Sequence, residues 1–142
     1  MGRINVGRLI LGAIVAGVVL NAADVLIQTV LMAQEAQVMR QRLNLNPEAV
    51  EGTSTMVSFI VANFIMGFVM LFTYAGFRPR FGPGPTTAVL VGLVVFFAIS
   101  PVLFGFMMMG IFAPNAYMKS TLLYFVTFIA ASLAGASMYK ED

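Results

Sequence analysis

Hydrophobic residues collect in four long runs, and most of the charge and proline falls in the stretches between and beside them. The runs cover about residues 6–32, 53–74, 86–109 and 116–139. Each is about 20 residues or longer, enough for an α-helix to cross a hydrocarbon core of about 30 Å. Within each run apolar side chains recur on every side of the projected helix, as in a segment surrounded by lipid and by other helices. The pattern predicts an all-α integral membrane four-helix bundle forming one transmembrane domain over residues 1–142.

The interruptions predict the rest of the architecture. Past residue 32 the helical period continues, but polarity rises. Leu31, Met32, Val38, Met39 and Leu43 form a stripe against Gln34, Glu35, Gln37, Arg40, Gln41 and Arg42. This amphipathic segment, about 33–51, extends the first helix outside the hydrocarbon and is expected to pack on the protein's own loop. The alternative is a docking helix for a partner or the membrane surface. Asn46-Pro47-Glu48 reads as a helix start and Gly52 as a stop. Residues 77–85, FRPRFGPGP, predict a tight, stiff turn. Pro101 cannot donate to the Phe97 carbonyl, which predicts a kink in the third run.

Composition sharpens the membrane reading. Of 142 residues, 60% are hydrophobic and only 10% charged, with a mean hydropathy of +0.93; soluble domains carry roughly 25% charged residues. The net charge of +2 is too small a surplus to suggest nucleic acid. Its sign suits loops facing anionic lipid. Cys, His and Trp are all absent. That excludes disulfides, thiolate chemistry, the usual haem and zinc ligation, and any Ser–His or Cys–His pair. No metal, no cofactor and no catalytic activity are expected.

Charge also orients the chain. Arg3, Arg8, Arg78, Arg80 and Lys140 fall on one side, and Arg40, Arg42 and Lys119 on the other. The excess places both termini in the cytoplasm. Tyr74 and Tyr139 then lie at the inner interface and Tyr117 at the outer one.

Asp24 carries the sharpest candidate chemistry, as an ionisable group inside a membrane-length run. Asn21, Asp24 and Gln28 are three and four residues apart and share one helix face. They are expected to bond polar groups on neighbouring helices, such as Asn63 of the second run or Ser100 of the third, and so fix the packing. The competing roles are proton or cation handling, and binding of a lipid headgroup, quinone or pigment. Arg78 and Arg80 are placed to meet lipid phosphates or an acidic partner. Small residues mark close-packed seams: Gly12, Ala13, Ala16 and Gly17 in the first run, Ala131, Ser132, Gly135 and Ala136 in the fourth. From sequence these face either the chain's own helices or another subunit.

Ala16-Gly17, Asn21 and Asp24, then Tyr74, residues 78–85, Thr87-Ala88 and Tyr139-Lys140, resemble a group of short bacterial four-span membrane proteins of unknown function. The resemblance implies a four-helix fold in the bacterial inner (cytoplasmic) membrane. The functional expectation is a structural or accessory subunit, in contact with lipids and with other membrane subunits or itself. A small transporter or channel built on Asp24 is the first alternative, and a lipid, quinone or pigment binder the second.

Overall fold

The computed structural model describes residues 4–140, so Arg3 and its share of the charge asymmetry lie outside the described residues. The chain forms α1 (Val6–Leu26), a π-helical turn (Ile27–Leu31), α2 (Ala33–Arg42), α3 (Pro47–Glu51), α4 (Thr53–Phe81), α5 (Pro85–Met108) and α6 (Pro114–Met138). Four helices, α1 with its π turn, α3–α4, α5 and α6, are long and apolar enough to cross a membrane. The all-α four-helix membrane bundle expected from the hydrophobic runs is the observed architecture.

The spans run up and down. α1 packs against α4 and α6, α5 packs chiefly against α6 and more loosely against α4, and α1 and α5 sit diagonally. The turn after α4 and the C-terminal Tyr139 share one end, where Tyr74 meets Tyr139 edge-on with ring centroids 5.9 Å apart. At the other end Arg42 of α2 donates to the carbonyls of Gly110 and Ile111 after α5, at 2.5 and 2.7 Å. Segment 33–51 and Arg78 are therefore at opposite ends of the bundle.

Small residues set the helix crossings, and all of these seams are internal. Gly12 and Gly135 face each other where α1 crosses α6; a Cβ on either would lie 2.7 Å from the other's carbonyl oxygen. Gly67 of α4 is pressed on the α1 backbone at Ala13 and Gly17, and Gly92 of α5 on the α6 backbone at Ile129. Ser132 Oγ locks this last crossing by donating to the Ala88 carbonyl at 2.7 Å. Close backbone approach maximises dispersion contact in a solvent as apolar as the helices themselves.

Packing is lopsided along the bundle axis. The buried residues of α4 begin at Gly67, those of α5 end at Phe96, and those of α6 begin at Thr127. In α1 they run from Leu9 to Leu20. One half of the bundle, next to the termini, is thus closed. The half next to α2 and α3 is splayed, with α4 residues 56–61 exposed all round.

Three sequence expectations change in detail. The second helix does not stop at Tyr74 but runs through Pro79 to Phe81, because a proline near a helix end forfeits little. The turn shrinks to residues 82–84, with Gly82 and Gly84 at φ +79° and +130°. It is clasped by side chains: Tyr74 Oη accepts from the Gly84 amide at 3.0 Å, and Thr87 Oγ1 donates to the Gly82 carbonyl at 2.7 Å. α5 remains helical through Pro101. The first helix does not extend smoothly past residue 32. The hydroxyl of Thr29 takes the Val25 carbonyl at 2.6 Å, a bond that competes with the helical ladder. The ladder widens there, with the Met32 amide reaching back to Ile27 at 2.7 Å. Finally, α2 is not seated by its apolar stripe. Val38 and Leu43 are exposed and no residue of α2 is buried. Polar ties hold it: Arg42 to the α5–α6 turn, Glu35 to Lys119 at 2.8 Å, and Arg40 to Glu51.

Candidate functional site

The polar face of α1 meets α4 and α6 at the boundary between the closed and splayed halves. Asn63 of α4 donates its amide to Asn21 Oδ1 and to Asp24 Oδ2, both at 3.2 Å. Asn21 in turn donates to the Gly17 carbonyl at 2.9 Å and to Ile60 of α4 at 3.4 Å. On the other side, Tyr124 of α6 donates its hydroxyl to Asp24 Oδ1 at 2.5 Å and accepts from Gln28 Nε2 at 3.2 Å. Each carboxylate oxygen of Asp24 thus receives one donor, from a different helix.

The reason this face comes together is the seam beneath it. Gly17 and Gly67 bring α1 and α4 into backbone contact, and one helical turn further along, Asn21 and Asn63 are close enough to bond. Asp24 is half-buried and turned toward protein, where it escapes much of the cost of a charge in hydrocarbon. No Lys or Arg pairs with it among the described residues. Its compensation is hydrogen bonding alone, and bonds to a charged acceptor are among the stronger ones available.

Asn21, Asp24, Gln28 and Asn63 are brought together as their spacing suggested. Ser100 is not among them. It lies on α5, the helix diagonal to α1, and among the described residues it makes no hydrogen bond to the cluster. Tyr124 fills the place assigned to Ser100. Sequence offered one signal for it: a tyrosine well inside an apolar run, away from either interface, must find a partner for its hydroxyl. Arg78 and Arg80 sit on the last turns of α4 and not on a loop. The Arg78 guanidinium lies over the Tyr139 ring, 5.2 Å from its centroid, while Arg80 is exposed. Arg78 therefore helps hold the C-terminal end, and Arg80 is the one turned outward.

Chemically, the arrangement couples an ionisable carboxyl to a phenol and to side-chain amides of α1, the π turn and α4. It ties three helices together. Compared with known proteins, the chain matches no family model, no curated protein and no solved structure.

Proposed function

We propose that the protein is a small non-catalytic accessory subunit of the bacterial inner membrane, with both termini cytoplasmic, that works by seating a partner helix in its splayed half. The partner is another membrane subunit or a second copy of the chain. The observation that carries this reading is where packing stops. The small-residue seams are consumed by the chain's own helices, yet no side chain of α4 before Gly67 is buried, and Met56, Val57, Phe59 and Ile60 are uncovered. A partner would meet large, adaptable side chains there, and lipid would cover the remaining apolar surface. Arg8, Arg80 and Lys140, at the end assigned to the cytoplasm, suit contact with lipid phosphates.

A photo-crosslinking residue placed at Phe59, in the splayed half, is expected to yield a protein adduct in native membranes. The same residue at Ile14, exposed on the closed half, is expected to yield lipid adducts only. A chain that gives no protein adduct at Phe59 and leaves mild detergent as a free monomer would overturn the proposal.

A further inference from the structure

Asp24 has two features that a purely structural clasp does not require. The first is its depth. Toward the termini it is sealed off: Ala16, Met70 and Ala131 have no exposed surface, and Leu20 retains only 3%. Toward α2, Ile27 and Met32 are buried, but Gln28 and Thr29 of the π turn are exposed. On α4, Ser54, Thr55 and Ser58 line an open cleft of about 360 Å³ with Phe59 and Ala62.

The second feature is the shape of the hydrogen-bond chain. Gln28, Tyr124 and Asp24 are linked in series, from an exposed amide to a half-buried carboxyl. Gln28 lies in the π turn, and such widened turns recur at functional sites. Among the described residues no ion pair involves Asp24: α6 presents Tyr124 and α4 the uncharged Asn63, while toward α2 Glu35 pairs with Lys119 and Arg40 with Glu51.

We propose that Asp24 is a proton-binding site, filled and emptied from the side of the membrane that carries α2 and α3, with Tyr124, Asn63 and Gln28 as its positioning residues. The inference stands independently of the accessory role.

In the ionised state the carboxylate accepts from Tyr124 and Asn63, as observed. On uptake, hydronium gives up one proton, leaving water, and the Asp24 carboxylate becomes a carboxylic acid. The new O–H donates to Tyr124 Oη, and the phenol hydrogen turns to Gln28 Oε1 once that amide rotates. Asn63 goes on donating to Oδ2. No covalent bond other than O–H changes, and the Tyr124 hydroxyl and Asn63 amide keep an acceptor in both states, while the exposed Gln28 amide turns its N–H away from Tyr124.

Infrared difference spectroscopy across pH, on the full chain in lipid nanodiscs, tests this directly. Wild type is expected to show a carboxyl band that titrates and that Asp24→Asn removes. Tyr124→Phe keeps the ring and removes a donor to the anion. It should raise the midpoint of that band by about one to two pH units, the equivalent of one hydrogen bond to a charged group. In vesicles of uniform orientation, a pH jump on the α2 side alone should change the band. Identical spectra for wild type and Asp24→Asn would overturn the proposal. So would a midpoint unmoved by Tyr124→Phe, or a response only to the opposite side. Tyr124→Phe keeps the test valid if Asp24→Asn fails to fold.

Discussion

A Cβ added at Gly67 would lie 2.5 Å from the Ala13 carbonyl oxygen and 2.7 Å from the Gly17 nitrogen. Both are backbone atoms of α1, so no rotamer change relieves the clash and the two helices must separate. Gly67→Ala should therefore destabilise the bundle by about 1–3 kcal/mol, the usual cost of overpacking. Separation would also pull Asn63 from Asn21 and Asp24, one turn away. Gly76 lies in the same helix, yet a Cβ there meets nothing within 4 Å. Gly76→Ala should stabilise by about 0.5–1 kcal/mol through reduced backbone freedom in the unfolded chain. Unfolding in mixed micelles, followed by circular dichroism, measures both; equal effects would show that the α1–α4 seam is not tight.

Among elements, α2 is the least securely seated, because polar ties take the place of burial. The hydrogen bond from Lys119, reinforced by its charge, holds the Glu35 carboxyl below its ordinary value of 4.5. A carboxyl lowered in the folded state contributes its stability above that ordinary value. The contribution fades as pH falls through the lowered folded value. Both partners touch water, so the effect is small and screened by salt. Protection factors of the Ala33–Arg42 amides, with the intrinsic pH dependence of exchange divided out, are expected to fall below about pH 4.5. Lys119→Ala should give the lower protection already at neutral pH and abolish the acid dependence. Protection that is equally acid-sensitive in Lys119→Ala would assign the effect to another acid of the α2–α3 segment. The Arg42 bonds to the Gly110 and Ile111 carbonyls should keep α2 attached when the Glu35 pair is lost.

At the scale of the molecule the governing feature is the contrast between a closed and a splayed half. Since the chain has no Cys, single cysteines report it without interference. With the chain alone in lipid nanodiscs, free of any partner, Ser58→Cys in the splayed half should react with a water-soluble maleimide from the side carrying α2. Ser132→Cys, buried at the α5–α6 crossing with 1% exposure, should resist it from either side. Comparable labelling at both positions would mean that the two halves do not differ in membranes.

The hydrophobic runs alone determined the four spans, the opposition of the Arg78 end and segment 33–51, and the shared face of Asn21, Asp24 and Gln28. These follow from hydropathy and helical period, which act within one segment and need no knowledge of its neighbours. Tertiary structure decided what each face meets. Tyr124 and not Ser100 reaches Asp24, because α1 lies beside α6 and diagonal to α5. The glycine and alanine stripes close on the chain's own helices, because Gly12 and Gly67 find Gly135 and Gly17 at matching depth. In lipid, helix order and depth depend on how closely backbones approach, and that quantity belongs to pairs of helices, never to one.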